Sequence, residues 1–342
     1  MRISFGGGGT ELSPYVETFG GCVLSSAIGI YAHVRIGFDN SASGIVIKSQ
    51  ETGEAITIEN LENLDLTLCP NSLRLASACL KYFYTQLACE IPRGLVLVTG
   101  SEAPIGSGLG ASSVLTVSIV NALQSLFSMH MHKNQIAEVA HTIEREVLGL
   151  SGGLQDHYPA VYGGINFIEF SKEKKASIQP LDLTSAEVSF LESSLLLVYC
   201  GKSRDSAKII EAQSEAVQKK NSLTVDYFHE IKLIAHKMRV SLSKSDLPEL
   251  GRLLDASWEL KKSTNSEISN SLIDSLYEKV KSEGAYGGKV SGAGGGGFLM
   301  FIVPPEKKIE ISLRISGRDS IVFPSNLVSN GAQISKVYKF VY

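Results

Sequence analysis

The chain has 342 residues, 44% of them apolar, and a formal net charge of −3 from 32 basic and 35 acidic side chains. That length supports a sizeable core and favours two domains with a cleft between them. Interspersed charges exclude the basic stripe that nucleic acid or an anionic membrane surface demands, and point to a small-molecule partner.

No apolar run approaches the roughly 18–20 residues of a membrane helix, and the opening "MRISFGGGG" lacks the apolar stretch of a signal peptide, so a cytoplasmic protein is expected. Alternating apolar runs over 21–38 and 44–58 predict strands. The segment from Asn71 has helical spacing through Leu73, Ala76, Leu80 and Phe83, and 94–100 reads as a strand. Past a glycine loop at 104–113, Val114, Leu115, Val117, Ile119, Val120, Leu123 and Leu126 form the broad apolar face of a buried helix. A second helix over about 135–148 leads into a long glycine- and proline-containing loop and the strand "INFIEF".

The polar stretch 171–187 is the candidate boundary, dividing the chain into domains 1–180 and 181–342. Beyond it come the strand "SLLLVYC", amphipathic helices between about 205 and 283, a glycine-rich hairpin over 288–303, and strands near 319–323 and 335–342. Segregated strands and helices argue for α+β lobes over a doubly wound sheet. Cys22, Cys69, Cys79, Cys89 and Cys200 have no paired spacing and read as buried thiols. The "HMH" at 130–132 lacks the company of a metal motif.

The loop 104–113 reads "PIGSGLGASS". Glycines feeding a helix bring unpaired backbone N–H groups and the positive end of the helix dipole to an anion, and phosphate is the natural guest. The Gly-Lys-Ser/Thr ending of a Walker A motif is missing, and the GxGxG spacing is no dinucleotide fingerprint. A tight structural turn is the alternative. Ser112 and Ser113 fall in the first helical turn, where a hydroxyl caps the helix or coordinates magnesium. Glu144, between apolar Ala140 and Leu148, sits at the margin of a buried helix face, solvated or available as a metal carboxylate. Asp156, in a glycine-flanked loop, makes a turn or acts as a general base. "GKSRDS" at 201–206 puts Lys202 and Arg204 between a strand and a helix start, suited to a phosphate on a substrate or to plain solvation.

Three ordered segments resemble the GHMP kinases, named for galactokinase, homoserine, mevalonate and phosphomevalonate kinases. "PIGSGLGASS" is similar to the family's central P-x-x-x-G-L-G-S-S loop, "RISFGGGGTEL" to its N-terminal motif and "KVSGAGGGGF" to its C-terminal glycine motif. With "EREVLGLSGGLQDHYPAVYGG" and "WELKK", the pattern resembles the branch acting on D-glycero-D-manno-heptose 7-phosphate, and fucokinase domains share it.

The resemblance implies a two-lobed α+β GHMP kinase fold, with a ribosomal-protein-S5-like N-terminal lobe and a ferredoxin-like C-terminal lobe. It implies ATP as donor, Mg2+ on Ser112 and Glu144, and the phosphates held by Gly106, Ser107, Gly108, Leu109, Gly110, Ala111, Ser112 and Ser113. Asp156 matches the aspartate at the reacting hydroxyl, and Arg2 the base that steadies it. Gly8, Gly9, Thr10, Glu11 and Gly294 are implied at the sugar, with Lys202 and Arg204 at its phosphate. The implied reaction moves the γ-phosphoryl group to the anomeric hydroxyl of the heptose 7-phosphate, giving the 1,7-bisphosphate that feeds nucleotide-activated heptose for surface polysaccharide. Alternatives are an anomeric kinase for unphosphorylated fucose or galactose, and a catalytically silent sugar-binding protein. Retention of Ser112, Glu144 and Asp156 together argues against silence. Oligomeric state stays open. The chain departs from the family in starting one residue before Arg2, in Glu11 where aspartate is usual, and in Ala111 where serine is usual.

Overall fold

The computed structural model describes residues 1–104, 106–201, 206–219, 221–317 and 320–336. The first half runs β1 (Arg2–Gly6), α1 (Tyr15–Phe19), β2 (Gly21–Ala27), β3 (Ala32–Phe38), β4 (Ile45–Ser49), β5 (Ala55–Ile58), α2 (Asn71–Thr85), β6 (Leu95–Ser101), α3 (Ala111–Leu126), α4 (Lys133–Thr142), α5 (His157–Tyr162), β7 (Ile165–Phe170) and β8 (Ala176–Pro180). The second half runs α6 (Ser185–Ser194), β9 (Leu195–Tyr199), α7 (Ser206–Gln218), α8 (Ser222–Ser243), α9 (Leu247–Thr264), α10 (Ser271–Ser282), β10 (Gly287–Val290), β11 (Phe298–Ile302), α11 (Lys308–Ile315) and β12 (Ile321–Phe323).

These strands build three four-stranded sheets in the orders β1-β2-β7-β8, β3-β6-β4-β5 and β10-β11-β9-β12. All pairings are antiparallel except β4 with β6. The layering explains the hydrophobic pattern of each strand. On β2, Val23 faces the core shared with the second sheet and helices α2 to α4, while Cys22 and Leu24 face a core shared with α8, α9 and the third sheet. On β9, Leu195 and Leu197 point into that shared core, and Leu196 and Val198 into a third core with α10, α11 and Trp258. A strand covered on both faces reads as an unbroken apolar run, as "LLLVY" does.

The strands of two sheets come from residues 1–180 and those of the third from 195–323, yet one core joins them. The chain's end returns to the first half: Ile28 bridges to Leu327, and Gly164 N donates to Val328 O at 2.7 Å.

Five expectations differ in detail from the fold. The run 21–38 is two strands in different sheets, broken where Ile28 turns out of the first. The polar stretch 171–187 contains β8, whose polarity suits an edge strand with half-exposed side chains. The helix expected over 135–148 ends at Thr142 and continues as a π turn, Ile143–Val147. The long loop after it holds α5, too short for a helical period to register. Of the strand expected at 335–342, residues 335–336 have no regular structure and the rest lie outside the described residues.

Candidate active site

The glycine loop is built for close approach. Gly106, Gly108 and Gly110 have φ of 73°, 74° and 70°, a left-handed region that side chains resist. Leu109 between them is buried in the shared core, and its carbonyl accepts from Arg2 N at 3.2 Å. Gly110 occupies the N-cap of α3, and no side chain caps the helix. The first-turn N–H groups at Ala111, Ser112 and Ser113 have no intrahelical partner and carry the positive end of the helix dipole.

Ser112 and Ser113 do not serve as caps. Ser112 Oγ donates to Glu144 Oε1, and Ser113 Oγ donates to Glu144 Oε2 at 2.6 Å. Glu144 is fully buried, not marginal: it continues the buried face that Ile136, Ala140 and Ile143 carry along α4 into the π turn. His157 Nε2 lies 2.7 Å from Glu144 Oε2 and Arg145 Nη2 lies 3.6 Å from it. Burial works to raise the Glu144 pKa, but the His157 hydrogen bond and charge, with Arg145 and Ser112, outweigh it and hold the carboxyl at about 2.

Asp156 stands immediately before α5 without spending its carboxylate on a helix cap. Its Oδ1 accepts from Arg2 Nε at 2.7 Å, while Arg2 Nη1 donates to Gly108 O at 2.7 Å. Arg2 is 3% exposed and Asp156 21%, so the pair is fixed from below and open on one side. A Cβ on Gly110 would lie 3.3 Å from Asp156 Cγ, which places the carboxylate against the phosphate loop. The C-terminal glycine motif closes the other flank. A Cβ on Gly108 would lie 2.6 Å from Ser291 O, one on Gly292 would lie 2.7 Å from Gly108 O, and Phe298 N donates to Ser107 O at 3.1 Å.

The residues expected at the sugar divide. Glu11 is buried, with Oε2 accepting from Gly9 N at 2.7 Å and Oε1 from Gln155 Nε2; burial, above all, raises its pKa. Gly8 lies beside Ser4 Oγ and Gln155 Nε2. Thr10 is spent inside the fold: its hydroxyl donates to Gly7 O and Cys22 O and accepts from Cys22 N. Gly294 packs its Cα on Ile268. Lys202 and Arg204 lie outside the described residues.

Family comparison decides what this constellation belongs to. Residues 74–164 match the GHMP kinases N terminal domain and residues 238–317 the GHMP kinases C terminal domain. The D-glycero-alpha-D-manno-heptose 7-phosphate kinase of Campylobacter jejuni is 33% identical, over 91% of this chain and 90% of its own. The chain is a GHMP kinase. A crystal structure described as a D-glycero-D-manno-heptose 1-phosphate kinase from Bacteroides thetaiotaomicron superposes on this kinase with a TM-score of 0.81 at 30% identity, covering 99% of this chain and 98% of that one. The bifunctional fucokinase/GDP-fucose pyrophosphorylase of Arabidopsis thaliana is 27% identical over 90% of the chain, which spans 30% of that larger protein. The kinase is thus a phosphotransferase with an alcohol acceptor, of the heptose phosphate kinase type, and uses ATP. Among the described residues no helix is long and apolar enough to cross a membrane.

Sequence reasoning missed His157, Gln155, Lys261 and Lys289 as parts of this site. His157 adjoins Asp156 and fixes Glu144, a role no motif announces. Lys261 and Lys289 lie within "WELKK" and "KVSGAGGGGF", and a lysine on an otherwise apolar helix face or in a buried strand is the signal that marks them.

Proposed function

We propose that this kinase transfers the γ-phosphoryl group of ATP to the anomeric hydroxyl of D-glycero-D-manno-heptose 7-phosphate, giving the 1,7-bisphosphate and ADP. The observation that carries the reading is the Arg2–Asp156 pair packed against Gly108 and Gly110, which sets a carboxylate beside the phosphate loop with one side open. Likeness to the Campylobacter jejuni kinase supports the choice of acceptor.

Phosphoryl transfer depends on positioning and charge neutralisation. In this reading the loop from Gly106 to Ser113 and the α3 dipole hold the phosphates. Asp156 accepts the proton of the anomeric hydroxyl as its oxygen bonds to the γ-phosphorus and the bond to the ADP oxygen breaks. Arg2 orients the Asp156 side chain through its Nε. Glu11, Gly8, Gly9 and Gly294 belong to the wall on the sugar side, and residues 1–180 and 181–342 are the two lobes. A carboxylate held ionised beside a serine hydroxyl suits a hard cation, so Ser112 and Glu144 would hold Mg2+. When bound there, the ion neutralises phosphate charge.

Likeness to a fucokinase favours a second reading, in which the acceptor is an unphosphorylated hexose. A coupled ADP-release screen over phosphorylated and free heptoses and hexoses separates the two. Turnover of the heptose 7-phosphate far above the free sugars is expected. Free fucose or galactose turning over as well as the phosphate sinks the heptose phosphate reading.

A further inference from the structure

Lys261 on α9 and Lys289 on β10 are ammonium groups sealed inside the protein, at 5% and 2% exposure. Lysine is seldom buried without an ion-pair partner. Each has a single hydrogen-bond acceptor among the described residues, Gly292 O at 2.5 Å from Lys261 Nζ and Phe5 O at 3.4 Å from Lys289 Nζ, although an ammonium carries three donors. Lys261 is the better placed of the two. Its acceptor belongs to the residue whose Cα packs on Gly108, and Gly108 O accepts from Arg2, which holds Asp156. Glu11 and Asp156 are the negative charges acting on it.

We propose that Lys261 is a positioning residue for phosphoryl transfer: its ammonium clamps the C-terminal glycine motif onto the phosphate loop through Gly292, and its charge keeps Glu11 and Asp156 in register with that loop. The proposal rests on the kinase chemistry described above and assigns a role to a side chain that touches neither phosphate loop nor base directly.

A clamp of this kind switches with the proton on Lys261. Burial, foremost, pulls its pKa down to about 8; Glu11 and Asp156 work to keep the charge, and Arg2 against it. The groups that face it are Glu11 from the loop after β1, Arg2 from β1, Asp156 from the loop before α5, and Lys289 from β10. On α9 itself, Asp255 is taken by Lys281 and Glu259 by Lys262; Glu267 of the following 3-10 turn is exposed. Losing the proton weakens the charge-assisted hydrogen bond to Gly292 O to a neutral one and leaves two carboxylates with one counter-charge fewer, so activity falls as pH rises through that value.

The test measures kcat and kcat/KM from about pH 6 to about pH 9.5, with MgATP and D-glycero-D-manno-heptose 7-phosphate, where kcat/KM reports the free enzyme. The native enzyme is expected to lose kcat/KM on the alkaline side. Lys261→Met is expected to lower kcat about 100-fold where the native Lys261 is protonated, the scale of a small misplacement of reacting groups, with the gap narrowing above about pH 8 and the KM for ATP little changed. Lys261→Arg, permanently charged, is expected to rescue most of that loss and to abolish or move the alkaline limb. Lys289→Met removes the neighbouring amine and is expected to leave the limb in place. A Lys261→Met enzyme with native kcat, or a Lys261→Arg enzyme with the native limb, overturns the proposal. Should D-galactose or L-fucose replace the heptose phosphate as the sugar turned over, the acceptor assignment fails and the same series on that sugar decides Lys261. Isotope-edited lysine NMR of the resting enzyme needs no sugar. Glu11→Gln is expected to lower the Lys261 titration further, and an unmoved Lys261 titration overturns the proposed charge coupling.

Discussion

Replacing Asp156 by asparagine removes a proton acceptor while changing almost nothing else. The amide oxygen can still accept from Arg2 Nε, now 2.7 Å from Oδ1, and the side chain keeps its volume against Gly110. Stability is lost only as far as a charge-assisted hydrogen bond, worth about 1.5–3 kcal/mol, becomes an ordinary one of about 0.5–1.5 kcal/mol. That difference is about 1 kcal/mol, so the melting temperature moves by a few degrees at most and the fold survives. Turnover behaves differently. Loss of a positioned general base costs about 10²- to 10⁴-fold, or roughly 3–5 kcal/mol of transition-state stabilisation at 1.36 kcal/mol per decade. The assay is coupled ADP release under saturating ATP and sugar, with ATP affinity measured by calorimetry on the same preparation. The expected result is a kcat lowered at least about 100-fold with ATP affinity unchanged. A folded Asp156→Asn enzyme turning over within about 5-fold of the native rate refutes the role given to this carboxylate. A variant that loses ATP binding along with turnover would move Asp156 from the sugar side to the phosphate side.

Glu144→Gln should raise the Mg2+ concentration for half-maximal activity by about 10-fold or more, since changes to outer-shell partners alone cost about 10–100-fold in metal affinity; an unmoved magnesium titration places the metal on another carboxylate. Gly108→Ala should raise the KM for ATP and lower stability together, because φ is 74° and the new methyl would lie 2.6 Å from Ser291 O; a native KM and melting temperature would contradict the tight packing of the two glycine motifs. Lys289→Met should stabilise the protein at pH 7 by about 1–4 kcal/mol, the usual gain when a buried charge yields to an apolar side chain. Burial, then Lys261 and Arg2, lower the Lys289 pKa to about 7 from 10.5. Between those values the unfolded chain binds the extra proton, so native stability should rise with pH through this window; the Met variant should show a shallower rise, confined to pH above about 8 where Lys261 is the titrating lysine, as chemical denaturation at several pH values would reveal.

The shape of the glycine loop was legible because it is local: three left-handed glycines, a helix start and two serines fall within ten residues. Asp156 was legible only as one loop aspartate among several turn-forming possibilities. The role proposed for it depends on Arg2, 154 positions away, and that contact is made where β1 meets the start of α5, not by any spacing. Glu144 was found but placed at the margin of the helix face, because a carboxylate is seldom fully buried without partners, and the two serines and His157 that satisfy it come from distant segments. β8 escaped because an edge strand with one open side carries no apolar alternation. Lys261 was hidden for the opposite reason: on α9 it occupies a position where the pattern calls for a hydrophobic residue, and a polar side chain there lowers the signal it ought to raise.

Why the fold tolerates that side chain follows from the layers around it. Arg2, Glu11, Lys261 and Lys289 are each nearly excluded from water, and an isolated charge in such a place costs several kcal/mol. Two acids with three bases, counting Asp156 beside Glu11, make a cluster in which the basic groups outnumber the acidic ones. In the proposed reading ATP brings negative charge to the glycine loop, so binding the donor offsets the cost of burying these bases. The three sheets, packed against the helices and one another in contiguous apolar cores, supply the apolar area that keeps the protein folded around this cluster. On this reasoning part of the affinity for ATP, and with it part of the stability that a fixed concentration of ATP confers, should vanish in Lys289→Met, where the repulsion that ATP relieves has already been removed. Thermal shifts with and without ATP for the two proteins measure it, and an equal shift in both would show that donor charge and buried lysines are independent.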